Sequence, residues 1–215
     1  MRIVILENSG QVYTSQVYLV LGDASRMKDL NTLVDVGQDP AVLASIERAP
    51  TGVGKWPVEQ VVLTHSHSDH CALLPRIRAV FDPKVFAFSP NIDGVDCVLR
   101  DGDTIKMGDE YFEVIHTPGH SSDSICLYNQ AEGVLFAGDT PLLIASPNGT
   151  YEPEFLAALE KLCTRDVRRM YFGHGAPLTE RCNERLRESQ RMAAAGSSAV
   201  RKQERIKNLA PVMAQ

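Results

Sequence analysis

The sequence is poor in features that would place it outside water. No apolar run approaches the roughly 20 residues a membrane-spanning helix needs. The first run, Ile3–Leu6, has only four residues, too short for the apolar core of a signal peptide. The expectation is a soluble, cytoplasmic protein with no membrane partner. The five cysteines, Cys71, Cys97, Cys126, Cys163 and Cys182, include no Cys-x-x-Cys pair and are odd in number. That argues against a disulfide framework and suits a reducing compartment. Positive charge is also scarce: 22 Lys and Arg face 27 Asp and Glu, for a net charge of −5. Proteins that track phosphates carry a basic face, so no nucleic-acid partner is expected. Tryptophan occurs once, at Trp56.

The chain has 215 residues, 44% of them hydrophobic, enough for a full-sized core. β-branched and aromatic runs predict strands at Ile3–Leu6, Val17–Leu21, Thr32–Val36, Glu59–Leu63 and Lys84–Phe88. Further strands are expected at Val95–Leu99, Thr104–Met107, Tyr111–Ile115, Ser124–Tyr128, Gly133–Ala137 and Arg169–Phe172. Helical patterns cover Asp39–Ala49, Asp69–Val80 (where Pro75 allows a kink or restart), Pro153–Leu162 and Pro177–Met192. Strands followed by helices in both halves predict two packed sheets with helices outside. The expected organisation is one α/β domain over residues 1–195. Gly196-Ser197-Ser198 then breaks the chain before a tail, 196–215, that is helical or partly disordered.

The stretch Thr64–Cys71 reads Thr-His-Ser-His-Ser-Asp-His-Cys and holds three of the six histidines. Protonated imidazoles so close together repel one another. A divalent metal removes the conflict, because neutral imidazole and carboxylate are among its preferred ligands. More polar residues follow predicted strands: Asp35, His116 and His120, Asp139, and His174. Each lies in or beside a Gly-containing loop, a way for a scaffold to gather distant side chains at one rim. His65 and His67 with His120 make a three-imidazole site with an open position. Asp69 and His70 with His174 make a second, and Asp139 can bridge the two at about 3.5–4 Å, the spacing of two-metal hydrolases. Asp35 and His116 are expected behind the ligands, Asp35 taking the proton of a ligating imidazole. Ser121, Ser122 and Thr140 are candidate supporting donors, and Cys71 directly follows the cluster.

The ordered set His65-x-His67-x-Asp69-His70, Thr117-Pro118-Gly119-His120, Gly138-Asp139-Thr140 and Gly173-His174-Gly175 resembles the metallo-β-lactamase superfamily, in its glyoxalase II-like, bridging-aspartate form. The resemblance spans roughly Asp35 to Gly175. It implies an αββα sandwich of two mixed β-sheets flanked by helices, with metals at the sheet edges. It also implies His65, His67 and His120 on one ion, Asp69, His70 and His174 on the other, and Asp139 between them. Common lactamases carry Cys where Asp139 stands, so antibiotic hydrolysis is not the expectation. Many members have Gly-Gly where Cys71-Ala72 stands.

The expected function is a dinuclear metal-dependent hydrolase. A metal-bridged hydroxide, oriented by the catalytic carboxylates Asp69 and Asp139, cleaves a thioester, lactone or other ester-like bond of a small molecule. Two divalent ions are expected, zinc first, with iron or manganese as alternatives. Two other classes stay open: a mononuclear iron dioxygenase acting on a persulfide-type substrate, and a non-catalytic sensor on the same fold. A homodimer is also left open. The loops Ala49–Pro57 and Pro141–Tyr151 are expected to shape the pocket, and Trp56 is either a pocket residue or a packing residue beside Pro57.

Overall fold

The computed structural model describes residues 1–23, 29–52, 54–147 and 149–209, with backbone only from 197 onward. The last six residues of the expected tail, and Val53 and Asn148 of the two expected pocket loops, lie outside the described residues. Six strands form the first sheet in sequence order: β1 (Arg2–Leu6), β2 (Val17–Leu21), β3 (Thr32–Val34), β4 (Gln60–Leu63), β5 (Lys84–Ala87) and β6 (Cys97–Val98). The first two pairings are antiparallel and the remaining three parallel. The second sheet has five strands: β7 (Thr104–Met107), β8 (Glu110–His116), β9 (Ile125–Asn129), β10 (Val134–Gly138) and β11 (Arg169–Phe172). It is antiparallel except where β10 and β11 run parallel.

Strand periodicity explains the layering. Side chains alternate faces along a strand. On β2, Tyr18 and Val20 enter the core between the sheets, while Leu19 and Leu21 enter the core on the outer face. On β10, Val134 and Phe136 face the inter-sheet core, and Leu135 and Ala137 face outward. Both faces are buried, so these strands read as continuous apolar runs.

Helices cover the outer faces. α1 (Ala41–Arg48) and α3 (Leu74–Phe81) lay Val42, Ile46, Leu74 and Ile77 on the first sheet. α4 (Pro153–Cys163) and α5 (Cys182–Leu209) lay Phe155, Leu159 and Leu186 on the second. A short α2 (Ser68–Cys71) carries the histidine cluster. The result is the expected αββα sandwich of two mixed sheets.

Several boundaries differ from expectation. β3 stops at Val34 because Asp35 adopts a left-handed backbone, φ 58°. The helix expected over Asp69–Val80 is two, α2 and α3, with Pro75 in the first turn of the second. The strand expected at Val95–Leu99 shrinks to Cys97–Val98. α5 begins at Cys182, because Leu178 exchanges backbone hydrogen bonds with Met170. The break expected at Gly196 is absent, since α5 continues to Leu209. A Cβ at Gly196 would collide with the carbonyl oxygens of Gly149 and Pro147. That glycine permits close packing of helix against loop, which is a different role from ending a helix. Among the described residues, no helix is long and apolar enough to cross a membrane.

Candidate metal centre

The site forms at one rim, where strands of both sheets end. Parallel pairing sets Val34 opposite Val62, so Asp35 and Thr64 emerge side by side past β3 and β4. In the other sheet, Gly138 pairs with Phe172 after a bulge, and Gly173 N–H donates to the Gly138 carbonyl at 2.7 Å. This places Asp139 beside the turn that carries His174. Ile125 N–H donates to the Thr64 carbonyl at 2.9 Å and ties the two rims together.

Seven side chains converge there in two groups: His65, His67 and His120, then Asp69, His70, Asp139 and His174. Within each group the candidate ligand atoms all lie within 4.8 Å of one another. Asp139 touches both. Its Oδ1 lies 3.3 Å from His70 Nε2, and its Oδ2 lies 3.5 Å from both His120 Nε2 and His174 Nε2. Asp69 Oδ2 lies 3.0 Å from His174 Nε2. His67 Nδ1 and His120 Nε2 face each other at 2.9 Å.

The buried layer behind these groups sets their tautomers. Asp35 is almost fully buried, and its carboxylate accepts from Thr64 N–H at 2.8 Å and from the Thr64 hydroxyl at 2.9 Å. His70 Nδ1 donates to the same carboxylate at 2.7 Å, which turns Nε2 toward the cluster. The Thr64 proton is committed to Asp35, so its lone pair faces His65 Nδ1 at 3.2 Å. That arrangement turns His65 Nε2 to the cluster as well. Thus Asp35 orients one imidazole directly and another through Thr64.

Both Nε2 atoms are buried and make no hydrogen bond within the protein. The 3.3 Å approach of His70 to Asp139 is close enough for an ion pair but lacks hydrogen-bond geometry. Leaving buried polar atoms unpaired is costly, about 1–3 kcal/mol each. One such nitrogen aimed into a three-imidazole group and one into an imidazole–carboxylate group fit divalent cations. Burial drives the His65 imidazole down to about 4, keeping it neutral, and also lowers His120. Burial opposes protonation of His70 too, but Asp35 and Asp139 outweigh it and raise it to about 10. Burial would raise Asp139, yet His70 above all holds it down at about 2.

Two glycines make room for this packing. A Cβ on Gly173 would collide with Asp139 Oδ1 and His70 Cε1. Gly138 has φ 52°, and its Cβ would stand 2.6 Å from the Thr64 hydroxyl.

The remaining expected residues fall in four places. His116 stacks on Phe88 with ring centroids 4.1 Å apart, and its Nε2 meets the Ser122 carbonyl at 2.8 Å. It braces the loop carrying His120 and bonds to none of the seven side chains in the described structure. Ser121 bonds Asp123 and Ser124, and Thr140 bonds Thr117, so these hydroxyls also serve the loops. Cys71 turns its thiol back to the carbonyls of Ser66 and His67 and packs on the first outer core, and burial pushes its pKa up. Trp56 is 67% exposed and lines a separate hollow with Val58 and Phe81, so neither sequence reading of it holds. That hollow flanks the start of β4, whereas the cluster follows its end.

Two residues escape the sequence reading. Thr64 resembles any strand-end threonine until its hydroxyl is seen between Asp35 and His65. Tyr13, in the loop between β1 and β2, stacks on His174 at 4.9 Å with its hydroxyl 3.3 Å from Nε2. It is 73% exposed, yet its backbone carbonyl is held by Gln38, and Ser15 and Gln16 N–H donate to the carbonyls of Asp69 and Gly173. The only sequence signal was an aromatic residue in a turn-forming loop, which carries no periodicity.

A family model described as the metallo-beta-lactamase superfamily matches residues 12–93 and 87–174. The hydroxyacylglutathione hydrolase of Klebsiella pneumoniae subsp. pneumoniae is 36% identical over 111 residues, covering 50% of this chain and 41% of that enzyme. An atrochrysone carboxyl ACP thioesterase of Aspergillus fumigatus is 27% identical over 171 residues, 77% of this chain and 52% of the relative. The chain thus spans about half or less of the length of these curated relatives. Among solved structures, a metallo-beta-lactamase family protein from Thermus thermophilus aligns with TM-score 0.66 at 23% identity, over 90% of this chain and 79% of that one. ETHE1 from Myxococcus xanthus aligns with TM-score 0.65 at 24% identity, over 90% and 85%. At such identities these two likenesses concern the fold.

Proposed function

The chain belongs to the metallo-β-lactamase superfamily, and from that premise we propose that it is a hydrolase working with two divalent ions on a thioester, lactone or other ester-like bond. One observation carries the reading. Two buried, unpartnered imidazole nitrogens, His65 Nε2 and His70 Nε2, each sit in one of two ligand groups that meet at Asp139. His65, His67 and His120 would hold one ion, and Asp69, His70 and His174 the other, with Asp139 shared. Imidazole and carboxylate without thiolate suit zinc, iron or manganese. When bound, such ions supply Lewis acidity, acidifying water and polarising a carbonyl oxygen.

The chain's own residues do the rest. Asp69 and Asp139 accept hydrogen bonds from the attacking water, orient its lone pair and take its proton at a carboxylate oxygen. Asp35 and Thr64 hold His70 and His65 in the ligating tautomer. The water oxygen bonds to the acyl carbon as the C–S or C–O bond breaks. The proton passes to the departing thiol or alcohol, leaving a carboxylic acid. Relatives named hydroxyacylglutathione hydrolase and ACP thioesterase support this class of bond.

Elemental analysis of the purified chain, paired with thioester and lactone assays, tests the proposal. Two ions per chain, with hydrolysis lost on chelation and restored by metal, is the expected result. One iron per chain with oxygen consumption on a persulfide would replace it with an oxygenase. Two ions with no turnover of any ester-like substrate would also overturn it.

A further inference from the structure

We propose that the cleft beside the two ligand groups binds an apolar acyl chain, an inference that rests on the hydrolase reading above. The cleft is open on one side and has a volume of about 480 Å³, within the size range of small-molecule sites. His120, Asp139 and His174 contribute to its lining, so it opens directly onto the reacting centre. The rest of its lining includes Pro141, Leu142, Leu143 and Phe172. Asp139 is the only carboxylate there, and no Lys or Arg lines the cleft among the described residues.

The apolar wall is built and held. Leu142 is buried, and its N–H donates to the Thr140 carbonyl at 2.8 Å. The buried Ser189 hydroxyl, on α5, donates to the Leu142 carbonyl at 2.8 Å and accepts from Ile144 N–H at 2.9 Å. Leu143 stands between these two anchored residues, yet is 43% exposed. A single exposed leucine means little. This one sits on a pinned segment, in a concave wall shared with Phe172, beside ligands for a carbonyl-activating centre. A substrate whose carbonyl reaches Asp139 can lay an aliphatic chain along Pro141–Leu143. An anionic acyl group would find no counter-charge on that wall among the described residues.

The test uses the zinc-loaded full chain and thioesters of one neutral thiol, N-acetylcysteamine, carrying acetyl, butanoyl or hexanoyl groups. We expect kcat/KM to rise about tenfold or more from acetyl to hexanoyl, since each methylene in an apolar pocket improves discrimination. Leu143→Asp, at a half-exposed position the fold should tolerate, should lower the hexanoyl-to-acetyl ratio several-fold. A flat series would overturn the proposal while leaving the hydrolase reading intact. Binding gives an independent readout through the non-hydrolysable thioethers S-ethyl- and S-hexyl-N-acetylcysteamine. Amide NMR shifts at Leu142, Leu143 and Phe172 that strengthen with chain length support the apolar cleft even if no ester is turned over. In that case it is the hydrolase reading that falls. Shifts elsewhere, or independent of chain length, overturn the cleft proposal.

Discussion

The Asp35 carboxylate lies 2.7 Å from Nδ1 of His70, with both side chains sealed from solvent. A left-handed backbone at Asp35 aims the carboxylate, a conformation Asp tolerates better than most residues. This contact fixes which nitrogen of His70 faces the cluster. Asp35→Asn keeps the size but puts an acceptor and a donor where two acceptors are needed. Metal affinity should fall about 10–100-fold, read by chelator competition. Unchanged affinity would remove Asp35 from the orienting role.

The two ligand groups should empty separately. His120→Ala leaves only two imidazoles, His65 and His67, beside the shared Asp139, and His174→Ala depletes the group with Asp69 and His70. Each variant should lose about one ion per chain in elemental analysis. Asp139→Ala, which touches both groups, should lower both occupancies and abolish turnover. A variant of His120 or Asp139 with full metal content and full activity would contradict the assignment.

Gly173→Ala should damage the site from the backbone side. The added methyl would collide with Asp139 Oδ1 and His70 Cε1. Overpacking of this kind typically costs about 1–3 kcal/mol. Lower metal content together with a lower urea midpoint is the expected outcome, and wild-type values for both would show that the loop yields freely.

Stability of the metal-stripped protein should depend on pH in opposite senses through two histidines. His65, held near 4 by burial, takes a proton less readily folded than unfolded, where the ordinary value is 6.5. Its effect is to lower stability as pH falls from 6.5 toward about 4. His70 is raised to about 10 by Asp35 and Asp139 against the effect of burial. Its contribution is full below 6.5 and is lost as pH rises through about 10. Urea midpoints of the stripped protein should therefore decline on both sides of about 6.5. Metal, which needs both imidazoles neutral, should bind more tightly as pH rises. A midpoint climbing steadily from neutral to alkaline pH would contradict the charge state given to His70.

Tyr13→Phe separates the stack on His174 from the hydroxyl 3.3 Å from Nε2. Loss of one such hydrogen bond is worth about 0.5–1.5 kcal/mol. On the proposed reading His174 would hold an ion, and that hydroxyl would then be left to meet the substrate. The expected result is kcat/KM lower by about 3–10-fold with metal content unchanged. Loss of metal instead would make Tyr13 a support for the ligand, and no change in either would leave it outside the reaction.

Much of the fold was legible because several strands are buried on two faces, so β2, β9 and β10 stand out as nearly unbroken apolar runs. Element ends were less legible. Gly196 reads as a breaker in one dimension, but it lies inside α5, where only a hydrogen atom fits against Pro147 and Gly149. Cys71 and Trp56 drew notice by their position and rarity, yet one packs on an outer core and the other borders a distant hollow. Neither fact has a local sequence signal, because both depend on what packs from elsewhere in the chain.

The sequence by itself determined the candidate donor types and their grouping in the chain. Metal chemistry restricts donors to a few side chains, and His65, His67, Asp69 and His70 are crowded into one strand-to-helix turn that leaves little choice of partners. Only the tertiary structure decided what stands behind and beside them. Strand register set Asp35 against Thr64, the loop after β1 brought Tyr13 onto His174, and Ser189 of α5 held Leu143 out at the cleft wall. Those contacts join residues far apart in the chain, through pairing and packing that no local pattern encodes.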